Sequence, residues 1–401
     1  MARSADAIIN PELLVWGRET IGYDLDVAAK KIGVDPKRLA KWEKGDEHDR
    51  PTVKRLFRIA NVYKRPFAAF YFSSPPTHWD EPYDKLEDWR TLPDTDSAKR
   101  SPGLVLELRE AARRREILLD LANQSGEVIG EFDLVRLPNE SPSSLAKKVR
   151  FSLGTSIVEQ LSWSSDLVAL RTWRKAIEEL DVLVFQTGFF NGYPVQVKEM
   201  RGVALHFDKL PIIIMNSKDT VAARIFTIMH ELGHLILNQS GLSNFRNFQQ
   251  LEDEEVFCNE FAGELLVPST SLLSQPEVKV RLKKIWSDDE LRTLATRFRV
   301  SKPVILRRLL VIDKTTHSHY NKMLAQWKKE WEEKQSAPNR ISAGGPAYHT
   351  KFLRCHGGRF VSSVVDAYDR DAIHIGDLSE YLGSKLKHID AIRDDLAKAS
   401  S

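Results

Sequence analysis

Residues 226–237 read Phe-Thr-Ile-Met-His-Glu-Leu-Gly-His-Leu-Ile-Leu, and this stretch decides the fold of the region around it. His230, Glu231 and His234 form the pattern H-E-x-x-H within an apolar segment of helical period. Positions four apart lie on one helix face, about 6 Å apart along the axis. The two imidazoles can therefore converge on one metal ion beside Glu231, which predicts a zinc site with Glu231 as general base. The alternative interpretation is a buried helix that contains these residues by chance.

A second helix, rich in carboxylates, is predicted over residues 251–266. Catalytic zinc takes three protein ligands, so this helix is the natural source of the third. Glu255 is the preferred candidate, since Asn259 follows one turn later on the same face and could hydrogen-bond a ligand histidine. Three other carboxylates remain alternatives at this stage: Glu252, Glu254 and Glu260.

Further motifs accompany these two helices. In chain order they are Trp173-Arg174, Val184-Phe185, Arg201-Gly202 and Pro211-Ile212-Ile213-Ile214-Met215-Asn216. With them, residues 165–275 resemble the ImmA/IrrE family of zinc metallopeptidases. The resemblance implies a zincin-like fold in which Zn²⁺ is bound by His230, His234 and Glu255 and Glu231 is the catalytic base. It also implies a regulatory protein as substrate, often a repressor, whose cleavage relieves repression. Cys258 is a departure, because the family usually has alanine there.

Residues 10–72 predict a bundle of four short helices. Ala28-Ala29 followed by Gly33 is typical of a helix-turn-helix, because small residues allow close crossing and glycine permits the turn. The element Trp42-Glu43-x-Gly45 resembles the Cro/cI-type (XRE) helix-turn-helix family. On the second helix of the pair, three outward-facing cations are expected to contact operator DNA, and a homodimer is the expected assembly. These cations are Lys37, Arg38 and Lys41.

Acidic residues next to this segment weaken the electrostatic attraction on which DNA affinity depends. Asp46 and Asp49 follow the predicted recognition helix closely, and Asp24 and Asp26 lie at the start of its partner helix, where the resemblance implies a neutral side chain that contacts phosphate. The alternative interpretation is a helix-turn-helix used for protein docking or dimerisation.

The predicted fold class is α+β and mostly helical. A helix-turn-helix domain (1–74) and a linker (75–100) precede a peptidase body (101–335), with a small helical domain (347–401) at the end. The body holds the metal core (165–275), three predicted strands (182–185, 202–207 and 211–215), and a second helix-turn-helix-like element (288–310). A long helix over residues 104–121 carries a basic face, which predicts a solvated or salt-bridged surface.

Composition narrows the function class without deciding it. The chain has 401 residues, a net charge of +3 and only two cysteines, which is typical of a protein from a reducing cytoplasm. It shows no signal peptide and no apolar stretch long enough to span a membrane, so a cytoplasmic location is expected. The C-terminal segment weakly resembles the tails of ImmA/IrrE proteins encoded beside PIN-domain-like toxins. The competing hypothesis is therefore an antitoxin that binds its operator and such a partner, with a non-catalytic metal site.

Overall fold

The computed structural model describes residues 5–76, 87–88, 100–188, 193–243, 253–281, 283–336 and 347–400. Most of the predicted linker over 75–100 lies outside these residues. Described residues up to 76, together with 100–112 and 193–195, form one compact unit, and the others form a second. Among the described helices, none is both long and apolar enough to cross a bilayer.

The first unit is a bundle of short helices, and the four predicted helices are confirmed. They are α1 (Glu12–Glu19), α2 (Leu25–Ile32), α3 (Pro36–Glu43) and α4 (Val53–Tyr63), followed by a 3-10 helix (Phe67–Tyr71). Asp24, Asp35 and Thr52 each cap the next helix by accepting a backbone N–H, which would otherwise lack a partner. Gly33 ends α2 with φ of +76°, a left-handed conformation that glycine adopts without strain. The turn between α2 and α3 depends on this residue.

The second unit contains the remaining helices. The long helix α5 (Pro102–Ser125) contributes residues 102–112 to the first unit and 113–125 to the second. The other helices, in chain order, are α6 (Pro142–Ser152), α7 (Ile157–Ser162), α8 (Asp166–Glu178), α9 (Val221–Ile236), α10 (Asp253–Leu266), α11 (Ser269–Leu273), α12 (Pro276–Lys279), α13 (Asp288–Phe298), α14 (Lys302–Val311), α15 (His317–Ser336), α16 (Tyr348–His356), α17 (Gly358–Asp369), α18 (Ile375–Leu382) and α19 (Ile389–Ser400), with a 3-10 helix at Leu386–His388.

The sheet of the second unit contains the three predicted strands and two short additions. Its strands are β1 (Glu87–Asp88), β2 (Leu183–Gln186), β3 (Gly202–Leu205), β4 (Ile212–Met215) and β5 (Gly241–Ser243), in the spatial order β1-β5-β3-β4-β2. Strand β3 is antiparallel to β4 and β5, whereas β2 runs parallel to β4. Every residue of β2, β3 and β4 is buried, which explains why these strands read as continuous apolar runs.

The expectation of a solvated or salt-bridged basic face on α5 holds for Arg115, which pairs with Glu116 at 2.7 Å, and is wrong for Arg114, which is buried. Arg114 is 1% exposed and donates to the backbone oxygen of Cys355 at 3.3 Å. Arg115 is half-buried, donates to the backbone oxygen of Lys209 at 3.0 Å, and stacks on the ring of Phe207. These cations stabilise packing because neighbouring chain segments offer them backbone carbonyl groups and aromatic faces.

Candidate metal centre

Helix α9 is the central element of the second unit. Thr220 caps its first turn by accepting the N–H of Ala223, and the residues from Ile228 to Ile236 are all buried. Helix α10 packs closely on α9 at Gly233. A methyl group added there would lie 3.1 Å from Cys258 Sγ and 3.1 Å from a ring carbon of Phe261. The absent side chain therefore permits the close approach that brings α10 to the histidines of α9.

His230, His234 and Glu255 converge across these two helices. The Nε2 atoms of His230 and His234 are 2.9 Å apart, and the Glu255 carboxylate lies 3.4 Å from His230 Nε2 and 3.1 Å from His234 Nε2. Within the described residues they form a group of side chains able to hold a metal ion. Ligand atoms about 2.0–2.2 Å from a tetrahedral zinc ion are separated by about 3.3–3.6 Å. The spacing therefore fits one small divalent ion with little adjustment.

The charge state of the cluster also fits metal binding. Burial lowers the pKa of His230 below its ordinary value and keeps its imidazole neutral, against the opposing influence of Glu255. Burial alone would raise the pKa of Glu255, but attraction and hydrogen bonds from His230 and His234 outweigh it and hold this pKa well below its ordinary range. A neutral imidazole and an ionised carboxylate are the forms that bind a metal.

Gln239 orients one of the candidate ligands. Its side-chain oxygen lies 3.1 Å from His234 Nδ1 and accepts a hydrogen bond from it when that nitrogen carries the proton. This tautomer leaves the Nε2 lone pair directed at the metal position, an arrangement common to metal-binding histidines. The sequence analysis did not identify Gln239. Its position five residues after His234, just beyond the end of α9, could have indicated a side chain able to orient that imidazole.

Glu231 points from α9 toward strand β3. A methyl group built on Gly202 would overlap the Glu231 carboxylate, and would lie 2.6 Å from a methyl group of Thr227. Gly202 therefore makes room for the carboxylate proposed as catalytic base. Because Gly202 has no side chain, the backbone of β3 can lie close to the Glu231 side chain. The motif Arg201-Gly202 is visible in the sequence, but this reason for the glycine is not.

Asn259 lies beside His230, and its side chain has a small influence that raises the pKa of the imidazole, against the larger lowering by burial. Neither amide atom makes a hydrogen bond of standard geometry to a described residue. Of the alternatives to Glu255, Glu254 and Glu260 stand outside the cluster, and Glu252 lies outside the described residues. Cys258 is fully buried against Gly233, where burial raises the pKa of its thiol, and it stands outside the group formed by His230, His234 and Glu255.

The cluster is closed to solvent. His230, Glu231 and His234 have no exposed surface, and Glu255 is 5% exposed. A neighbouring cleft of about 190 Å³ is bordered by Thr227 and Asn259, and the remaining lining comes mainly from α9, α10, α14 and Tyr320 of α15.

The cations predicted to bind DNA lie on the exposed surface of α3. Arg38 is engaged by Asp49, which accepts hydrogen bonds from its guanidinium at 2.8 and 3.0 Å and from the indole N–H of Trp42 at 3.2 Å. The bond from Arg38 holds the pKa of Asp49 below its ordinary value. Lys41 stands 4.0 Å from Asp46, whereas Lys37 pairs with no described carboxylate.

Two family models match this chain. The Peptidase_M78 model, described as an IrrE N-terminal-like domain, matches residues 178–310, and a helix-turn-helix model matches residues 16–70. The chain joins a helix-turn-helix domain to an IrrE N-terminal-like domain. His230, Glu231, His234 and Glu255 all fall in the latter, while α1 to α4 make up most of the former. No curated protein and no solved structure matches the chain, and nothing in these comparisons supports a toxin partner.

Proposed function

We propose that this protein is a zinc-dependent endopeptidase that cleaves a regulatory protein and thereby controls transcription. The observation that carries the proposal is the convergence of His230, His234 and Glu255 to within 3.4 Å of one another beside Glu231. The match of residues 178–310 to a peptidase family model supports the reaction class. Two imidazoles and one carboxylate form a known ligand set of catalytic zinc and leave a coordination position for water.

Each side chain has a proposed role in this reaction. Zinc held by His230, His234 and Glu255 would supply Lewis-acid chemistry toward a carbonyl and a water molecule. Glu231 would act as general base toward the attacking water and would then return the proton to the amine of the leaving peptide. Gln239 orients His234 by holding the proton on Nδ1, and Asn259 positions His230. The cleft beside Thr227 and Asn259 is the proposed place for the substrate chain, because it borders both α9 and α10.

The complete burial of the two imidazoles makes opening a necessary step in this proposal. Until the cover moves, neither a water molecule in exchange with solvent nor a peptide bond reaches the metal position. The protein is therefore proposed to be latent when its cover is closed.

DNA binding is proposed for the helix-turn-helix domain. Lys37, Arg38 and Lys41 lie exposed on α3, the second helix of the motif, which is the element that enters the major groove in this class of domain. The match to a helix-turn-helix family model supports the assignment. Because Asp49 engages Arg38, we propose that Lys37 and Lys41 provide more of the phosphate contacts than Arg38 does.

The decisive experiment combines metal analysis with a cleavage assay. The full-length protein is co-expressed with its genomic neighbours, as wild type and as Glu231→Gln, and the zinc content of each purified form is measured. The expected result is one zinc per chain in both, with cleavage of a neighbouring regulator reduced by about 10²–10⁴-fold in the variant, because general-base catalysis is lost.

A matched control is Glu254→Gln, which changes an exposed carboxylate of α10 that belongs to neither the cluster nor the lining of the cleft. It should retain both zinc and cleavage. Equal cleavage by Glu231→Gln and wild type would eliminate Glu231 as the base. A regulator bound equally by both forms and cut by neither would instead establish a binding protein without peptidase activity.

A further inference from the structure

The cleft beside the metal centre has a largely apolar lining. The apolar members from α9 and α14 are Ala223, Phe226, Pro303, Val304 and Val311. The volume of the cleft is about 190 Å³, and an apolar cavity of about 150 Å³ is large enough to hold a benzene molecule. The cleft is accessible, because Pro303 is exposed and Val311 is 47% exposed. It therefore has both the room and the opening to take one large apolar group from solvent.

Two of the three arginines in the lining already have carboxylate partners. Arg308 is buried and pairs with Glu264, and Arg201 pairs with Asp219 at 3.1 Å. A methyl group added to Gly263 would lie 3.0 Å from Cδ of Arg308. The aliphatic stem of Arg308 thus packs against α10, as the stems of long cationic side chains commonly do on apolar surface. These two arginines add apolar surface to the cleft rather than a free positive charge.

Arg307 and Glu260 complete the charged part of the lining. The guanidinium of Arg307 lies over the ring of Tyr320, 5.9 Å from its centroid. Together with Asp219 and Glu264, Glu260 brings the carboxylates at the cleft to three, against three guanidinium groups. A lining with balanced charge favours an uncharged occupant, because an ion would lose its hydration without gaining an unengaged partner of opposite charge.

The cleft is continuous with the metal centre along α9. The ring of Phe226 lies 6.2 Å from the ring of His230, centroid to centroid. A methyl group built on Gly202 would meet both the side chain of Thr227 and the carboxylate of Glu231, so these two side chains are neighbours. Phe226 and Thr227 both line the cleft. An extended peptide advances about 3.3–3.6 Å per residue. A side chain in the cleft would therefore belong to a residue within about two positions of a peptide bond at the metal.

We propose that the cleft selects the bond to be cut by binding a large apolar side chain, preferably phenylalanine, within about two positions of that bond. The proposal rests on the peptidase function proposed above and names the substrate sequence that this function would require. Phe226 and Tyr320 both belong to the lining, and aromatic rings stabilise one another in edge-to-face or offset contact. Val304 is a half-buried member of the lining, so a larger side chain there would occupy the cleft in place of the substrate.

The binding arm of the test requires neither zinc nor an opened metal centre. The amides of N-acetyl-phenylalanine and N-acetyl-alanine are titrated into the full-length protein and followed by ligand-observed NMR. The phenylalanine derivative should bind about 10–100-fold more tightly, which is the effect of burying one aromatic side chain. Val304→Phe should weaken this binding by about tenfold or more. The matched control is Val158→Phe, the same change at an exposed valine of α7 outside the lining, and it should bind as wild type does.

A second variant keeps the binding arm decisive. If Val304→Phe fails to fold, Val311→Phe, at the exposed rim of the cleft, should weaken binding of the phenylalanine derivative in the same direction. Equal binding of the two derivatives by wild type would overturn the proposal. So would equal binding of the phenylalanine derivative by wild type and by the folded cleft variant.

The cleavage arm separates this proposal from the peptidase proposal. In a regulator that is cut, replacement of the large apolar residue near the bond by alanine should lower kcat/KM by about 10–100-fold. Cutting at a bond with no such residue within about two positions would overturn the role of the cleft and leave the peptidase proposal intact. Selective binding of the phenylalanine derivative without any cleavage would uphold the cleft as an apolar binding site and overturn the peptidase proposal.

Discussion

The candidate metal centre has buried functional groups drawn from two helices, whereas the proposed recognition surface has exposed ones on the single helix α3. His230, Glu231 and His234 of α9 have no exposed surface, and Glu255, which completes the metal-binding group with the two histidines, comes from α10. Lys37 and Arg38 lie in the open on a single helix, and the carboxylate that engages Arg38 follows only eleven residues later. Side chains that must converge on one small ion are brought together by packing, whereas the surface proposed for an extended charged partner lies on one exposed helix face.

The two regions should therefore respond differently to single substitutions. In the buried centre, a change of one functional group alters both the metal position and the packing around it, because no water can replace the lost partner. On the exposed surface, water and salt compensate for most of a lost charge. Two pairs of substitutions and one set of three test this comparison, beginning with the largest expected effect.

The first pair sets neighbouring carboxylates of α10 against each other. Glu255→Gln should lower zinc affinity by more than about 100-fold, because loss of an outer contact alone costs about 10–100-fold and this residue is a proposed ligand. Glu254→Gln changes an exposed side chain one position away and should leave zinc affinity unchanged. Competition with a chromophoric chelator measures both affinities. Equal zinc binding by the two variants would remove Glu255 from the ligand set.

The second pair compares a crowded glycine with an uncrowded one. Gly202→Ala should lower the free energy of unfolding by about 1–3 kcal/mol, because the new methyl group overlaps the Glu231 carboxylate and crowds Thr227. Gly376→Ala, in α18, has open space around the added methyl group and should be neutral or stabilising by up to about 1 kcal/mol. Denaturant unfolding measures both. A Gly202→Ala protein as stable as wild type would show that the Glu231 side chain can lie elsewhere at no cost.

The third set, of three substitutions, concerns the exposed surface of α3. Lys37→Ala should weaken operator binding and reduce the salt dependence of log K by about 1, because one phosphate contact is lost. Arg38→Ala should have a smaller effect, since Asp49 already engages its guanidinium, and Asp49→Asn should tighten binding by releasing it. Gel shifts over a range of salt concentrations measure these changes, with Lys322→Ala as a control for loss of charge elsewhere. If none of the three variants changes the gel shift, the helix-turn-helix domain docks a protein instead.

Local patterns predicted the elements well where a short-range rule governs them. The caps at Asp24 and Thr52, the turn at Gly33 and the apolar runs of β2, β3 and β4 each have a cause within a few residues. Strands β1 and β5 were not predicted because they are two and three residues long and exist through pairing with each other and with β3. Arg114 was misread because its partner, the backbone oxygen of Cys355, lies 241 residues further along the chain.

The sequence by itself determined that two histidines share one face of a helix, because a spacing of four follows from helical geometry alone. It also determined the helix-turn-helix, which local caps and one glycine specify. Only the tertiary structure decided that Glu255, rather than Glu254 or Glu260, stands within 3.4 Å of both imidazoles, since that depends on how closely α10 approaches Gly233. It likewise decided that these rings are buried, because burial arises from contacts that no local spacing encodes.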